Sequence, residues 1–288
     1  MLAIPRPLTR RLLVGLPFVA VFALLFWPTF RWMAERFDTH DSFYSHGWLI
    51  PFASGWLAWQ RRALLRALPS RASFWGLAVL LPSLFIHLAA TWWHLGFVSG
   101  FAMVGTIWGL VWTCWGRQTL RVFRFPLLFL LFMVPLPGVL LIAISFKMKL
   151  MAAALATHAL TLVGIPAQQA GSTIHVPGLS VIVDDTCSGL RSLISLIALS
   201  TLWTSLMPTS AKRWQKLAVV AASIPIALAG NMVRILILVL LSAIYGPQIA
   251  ESFIHYGSGV VIFGIALLAL SWFSTAVQQW PRPSANLT

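Results

Sequence analysis

"KLAVVAASIPIALAGNMVR" (Lys216–Arg234) holds seventeen uncharged, mostly apolar residues between two cations. Wound as an α-helix at about 1.5 Å per residue, they extend about 25 Å, close to the ~30 Å hydrocarbon core of a bilayer. The stretch reads as a membrane span with Arg234 at its far end. The rest of the chain agrees. Of its 288 residues 59% are hydrophobic and 9% charged, and the mean hydropathy is +0.86. A soluble domain carries about 25% charged residues. This composition excludes a soluble enzyme or binding module and points to a polytopic membrane protein.

Working outward from that span, the apolar runs predict an all-α bundle of eight spans: Leu12–Phe30, Tyr44–Gln60, Phe74–Trp92, Phe97–Trp115, Phe125–Ile144, Ser188–Met207, Leu217–Val233 and Phe253–Thr275. The first run follows Arg6, Arg10 and Arg11, is too long for a signal-peptide core and lacks a small-residue cleavage site, so it reads as an uncleaved span. Pro135-Leu136-Pro137-Gly138 interrupts the fifth run, and prolines two apart with glycine stop or kink a helix. Val139–Val163, with Lys147 and Lys149 inside it, is then expected as an amphipathic or re-entrant helix at the outer face. "STIHVPGLSVIVDD" (Ser172–Asp185) carries β-branched residues around Pro177-Gly178 and predicts a short outer hairpin before the sixth span. Residues 1–280 read as a single integral-membrane domain and 281–288 as a short polar tail.

The net charge is +14, with 20 Lys and Arg against six Asp and Glu. No basic cluster is interleaved with aromatics as a nucleic-acid surface requires. With the N-terminus in the cytoplasm and spans alternating, 14 of the 20 cations fall inside, and Arg31, Arg36, Lys147, Lys149, Arg191, Arg234 and all six acids fall outside. That bias follows the positive-inside rule.

Three chemically capable residues then fall at one depth. Cys187 precedes the sixth span, Arg234 ends the seventh and His255 opens the eighth, all at the outer face. A thiolate is the nucleophile, and a helix N-terminus or nearby cation lowers a thiol pKa. Arg191 lies four residues after Cys187, on the same helical face. Histidine moves protons near neutral pH, and a buried arginine fork stabilises an oxyanion. Each residue has a plain alternative: Cys187 as packing, His255 as interfacial, Arg234 snorkelling outward. Asp184 and Asp185 orient His255, bind a cation, or merely complement the helix dipole. His46, with His40, Asp38 and Asp41, lacks metal-ligand spacing. Cys114 lies inside an apolar run and reads as a small hydrophobe. The glycines of "HYGSG" (His255–Gly259) read as helix-packing residues, with Ser258 as a fainter serine-protease alternative.

Several short blocks, in order, resemble the exosortase/archaeosortase family: "YSHGWLIP" (Tyr44–Pro51), "FPLLFLLFMVPLPG" (Phe125–Gly138), "TCSGLRSL" (Thr186–Leu193), "NMVRI" (Asn231–Ile235) and "HYGSG". The resemblance covers most of the chain, and its histidine block is similar to that of the bacterial branch. It implies a multi-pass enzyme of the bacterial inner membrane, both termini cytoplasmic, with no cofactor or metal. Cys187 would be the nucleophile, Arg234 the electrostatic stabiliser and His255 the acid/base, with Arg191, Asn231, Asp184, Asp185 and His46 in supporting places. The implied partners are the bilayer, membrane-tethered substrates bearing a C-terminal sorting signal (a motif of the Pro-Glu-Pro kind, a helix and a basic tail) and an amine acceptor, often in exopolysaccharide-producing cells. The competing expectation is a non-enzymatic transporter or polysaccharide-export component, with Arg234 and His255 lining a path.

Overall fold

The computed structural model describes residues 8–39, 42–67, 71–184, 188–246 and 253–279; side chains at 8–16, 65–67, 243 and 253–256 lie outside that description. Among the described residues the fold is helical with one small sheet, and the chain divides into two compact units: Met1–His40 with Ser45–Pro135, and Asp41–Tyr44 with Leu136–Thr288.

In the first unit α1 (Leu8–Leu25) and α2 (Trp27–Asp38) meet at a 63° bend. Phe26 leaves the helical region there (φ −91°, ψ 10°), and Pro28 follows in the first turn of α2, where its missing N–H costs nothing. A 3₁₀ turn (Ser45–Trp48) leads into α3 (Leu49–Gln60) and α4 (Arg62–Ala67). Then α5 (Leu77–Trp92) and α6 (Gly96–Phe129) form a tight hairpin. A Cβ at Gly109 would lie 2.7 Å from the Leu80 backbone, so only glycine permits this approach. Behind the hairpin runs a buried polar chain. His87 Nε2 lies 3.0 Å from the Leu25 carbonyl, His87 Nδ1 lies 2.8 Å from Ser99 Oγ, and Ser99 Oγ lies 2.5 Å from Thr29 Oγ1. A carbonyl only accepts, so Nε2 carries the ring proton; Ser99 then donates to Nδ1 and Thr29 donates to Ser99. The network thereby ties down the α1–α2 break.

In the second unit α7 (Gly138–Leu162) leads to an antiparallel sheet, β1 (Gln168–Ala170), β2 (Thr173–Val176) and β3 (Leu179–Ile182), in that order. Pro177-Gly178 makes the β2–β3 turn, with Gly178 at φ +78°. Ile174, Val176 and Val183 bury themselves with α7 and α9 residues such as Ala156, Leu160 and Val239. Three antiparallel helices follow: α8 (Leu190–Leu206), α9 (Arg213–Tyr245) and α10 (Phe253–Gln279). At one end Gln215 Nε2 donates to the Val277 carbonyl (2.9 Å), and Trp203 Nε1 donates to Ser274 Oγ (3.1 Å). Leu196, Val219, Ala227 and Leu270 fill the middle. In lipid such contacts hold by close packing rather than by expulsion of water.

The eight-span expectation is wrong. Among the described residues five helices are long and apolar enough to cross a bilayer: Phe74–Trp92, Gly96–Met133, Gly138–Leu162, Arg213–Ser242 and Gly257–Gln279; counting the bent pair Pro17–Leu25 and Trp27–Asp38 as one span makes six. The reasons are local. Tyr44–Gln60 spends its first turn as a 3₁₀ segment and leaves a helix of 12 residues, about 18 Å against the ~30 Å needed. Leu190–Leu206 is also short, at 17 residues. The expected fourth and fifth spans fall within one apolar helical stretch, α6, which is kinked at Gly116: that residue leaves the helical region (φ +82°, ψ 177°), and a Cβ there would strike the Arg71 carbonyl. Nor is Gly138–Leu162 an interfacial amphipathic helix. It is apolar on all sides, with mean hydropathy 2.0, and Lys147 is exposed; a lysine stem reaches outward from such a helix. Alternation counted along the chain therefore no longer assigns sides, and relative depth must come from helix pairing.

Candidate functional site

Two of the expected residues, Asn231 and Arg234, lie on α9 where it meets the start of α8 and the first turns of α10. α8 starts on Gly189, held at φ +78°, ψ 0°, a left-handed conformation that side-chain-bearing residues resist. Space forbids a side chain as well: a Cβ there would sit 2.6 Å from Asn231 Cγ and 2.8 Å from Nδ2. The N-terminus of α8 is thus pressed against the Asn231 amide of α9. Ser188, buried just before it, accepts the Leu190 N–H on its Oγ at 3.3 Å, satisfying one orphan donor of the first turn.

One turn along α9 comes Arg234, half-buried. A Cβ on Gly259 of α10 would lie 3.6 Å from its Cζ and 3.7 Å from Nη2. A methyl group at Gly259 would thus be in ordinary contact with the guanidinium, which faces this glycine across that space. A cleft among the three helices is polar at one end, with Ser192, Asn231 and Arg234, and apolar at the other, with Ile262, Phe263 and Ala266. Gly189, Asn231, Arg234 and Gly259 all lie at the end of the bundle opposite Arg213, Gln215 and Val277. From Arg213 to Arg234 the helix climbs about 30 Å, a full membrane thickness.

The remaining expected residues fall as follows. Cys187 and Asp185 lie outside the described residues, two and four positions before Gly189. His255 falls in the first turn of α10, one turn before Gly259, and its side chain is outside the description. Arg191 is the second residue of α8, partly buried, and Asp184 is exposed at the end of the sheet segment. His46 belongs to the first unit, in the Ser45–Trp48 turn, where burial pushes its pKa down to about 4. Its neighbour Gly47 lies against the Phe37 ring, and Trp48 Nε1 donates to Asp38 Oδ1 at 3.0 Å. The suggested grouping of His46 with His40 and Asp41 falls partly outside the described residues. Tyr44, in the second unit, is buried, and its hydroxyl accepts the Leu136 N–H at 3.2 Å. Burial raises the Tyr44 pKa against the opposing pull of that N–H. Cys114 is a free thiol on α6.

Sequence reasoning missed Ser192 and the specific use of Gly189 and Gly259. The glycines of the CSG and GSG blocks were the available signal, but which partner each admits depends on the pairing of α8 and α10 with α9.

Such a bundle, with an arginine and an asparagine lining a cleft toward one end of its helices, defines the class: a polytopic helical membrane protein. The family description Transmembrane exosortase (Exosortase_EpsH) matches residues 32–272, and the chain belongs to the exosortase/archaeosortase family. No curated protein and no solved structure matches it significantly.

Proposed function

We propose that the protein is a membrane cysteine protease/transpeptidase that cleaves C-terminal sorting signals of the PEP-CTERM kind, with Cys187 as nucleophile, His255 as acid and base, and Arg234 as oxyanion stabiliser. The observation that carries this reading is the shared end of α8, α9 and α10. Gly189, two residues after Cys187, abuts Asn231, and Gly259, one turn after His255, faces Arg234. Family membership supports it independently. Lys212, Arg213 and Lys216 at the opposite end of α9 favour that end as cytoplasmic. The site then faces outward, across the bacterial inner membrane from both chain ends.

In this reading the substrate helix enters beside the bundle with its basic tail in the cytoplasm, so its short motif emerges at Cys187. The Cys187 thiolate adds to the carbonyl carbon and Arg234 holds the developing oxyanion. The C–N bond breaks as His255 gives its proton to the leaving amine, which leaves an acyl-thioester. Water or an amine acceptor then attacks, His255 takes the proton, and the thiolate is released. Asn231 and Arg191 position the turn before α8, and Asp184 and Asp185 mark its aqueous side.

The test is co-expression with tailed proteins from the same genome. Cys187→Ala is expected to abolish the mass decrease of the substrate while the protein stays in the membrane. Unchanged processing overturns the assignment and favours a transport role; loss with Ser258→Ala in its place points to serine chemistry.

A further inference from the structure

Among the described residues, one group of arginines in the first unit has no acidic partner. Between Ser42 and Val183 there is no Asp or Glu, yet Arg61, Arg62, Arg66, Arg71, Arg117, Arg121 and Arg124 fall in that interval. Arg117, Arg121 and Arg124 are spaced i, i+4, i+7 on α6 and all are exposed. That spacing stacks them on one helical face, where like charges repel. Arg61 joins them from the end of α3. Its Nη1 donates to the Val122 carbonyl at 2.7 Å, and its guanidinium lies 5.9 Å from the centroid of the Phe125 ring. The fork is fixed rather than left to swing away. Burial and the nearby Arg124 charge both push the Arg61 pKa down, as expected of cations gathered without a counter-charge.

The level of the patch is readable too. α6 climbs about 30 Å between Gly96 and Trp115, so Arg117 lies one membrane thickness from the α5–α6 turn. Trp59, Trp75 and Trp115 are 65%, 75% and 51% exposed around it, and Arg62 stacks 4.4 Å from the centroid of the Trp59 ring. Exposed tryptophans gather at the headgroup level. Every cation here is arginine, whose planar fork matches phosphate oxygens two at a time.

We propose that Arg61 and Arg124, backed by Arg117 and Arg121, form a binding site for the phosphate of an anionic phospholipid headgroup. The lipid supplies an anion to arginines that have no acidic partner among the described residues, and its acyl chains lie against the apolar helices below the tryptophans. A free phosphate would match the charge but would leave the position beside the tryptophan belt without a purpose.

The full-length protein in detergent, given phosphatidylglycerol or phosphatidylcholine and examined by native mass spectrometry, provides the test. Phosphatidylglycerol should be retained preferentially, and Arg61→Gln with Arg124→Gln should weaken that retention about 25-fold, at about fivefold per arginine. Arg124 is exposed, so Arg124→Gln alone keeps the test open should the Arg61 variant misfold. Arg61→Lys should recover only part of the loss, since it restores charge without the fork. Equal retention of the two lipids, or no effect of Arg124→Gln, overturns the proposal. So does displacement of the lipid by equimolar inorganic phosphate, which would mark a site for the free ion.

Discussion

Two polar groups of similar size sit among these helices, and they are built in opposite ways. In the first unit Thr29, Ser99 and His87 are almost wholly buried and hand hydrogen bonds along a chain that ends on the Leu25 carbonyl. In the second unit Ser192, Asn231 and Arg234 line a cleft, and Arg234 and its neighbour Gly259 are only half-buried. The first arrangement spends its polar atoms on the fold. The second leaves an arginine fork half-buried beside Gly259, at the polar end of a narrow cleft. A buried unsatisfied donor costs about 1–3 kcal/mol, so the saturated network stabilises the bend that it ties down.

Substitution should separate the two. Arg234→Ala is expected to lower tail processing about 100- to 1,000-fold, as loss of an oxyanion donor does, with little change in thermal stability. Arg234→Lys should recover only part of the rate, because an ammonium lacks the fork. A purely structural role for Arg234 would show instead as lost expression at an unchanged rate per folded molecule. Ser99→Ala should do the reverse. It strands His87 Nδ1 and removes the acceptor of Thr29, costing on the order of 2–3 kcal/mol of stability, read as a lower Tm in detergent, while the rate per folded molecule holds.

A smaller effect comes from His46. Its pKa in the fold, about 4, lies below its ordinary 6.5, so the unfolded chain takes up the proton first. The contribution of a neutral buried His46 is complete above about pH 6.5 and is lost as the pH falls toward 4, on the order of 3 kcal/mol. Tm should therefore fall over that window, and His46→Gln should flatten the fall. An unchanged slope in the variant would assign the pH dependence elsewhere.

Much of this was legible in the sequence, and the failures share a cause. Apolar composition identified a helical membrane protein, Pro177-Gly178 marked a hairpin that the structure contains, and the ordered blocks pointed to the family that the comparison shows. The span count failed because hydropathy reports composition and not helix continuity. Gly116 kinks one apolar stretch, Phe26 and Pro28 bend another inside the run Leu12–Phe30, and the Ser45–Trp48 turn shortens one that looks long enough. Within the candidate site, Arg234 and Asn231 were visible as polar residues out of place. Gly189 and Gly259 were visible only as small ones, since the atoms they admit come from another helix.

The central claim is that a thioester forms at Cys187. The direct measurement is peptide mass spectrometry of the wild-type protein, acid-quenched during turnover of a tailed substrate. The account predicts a substrate acyl adduct on the Cys187 peptide that neutral hydroxylamine removes and that Cys187→Ala lacks. Substrate cleavage at a normal rate with no such adduct, and with Cys187→Ala still active, would contradict it.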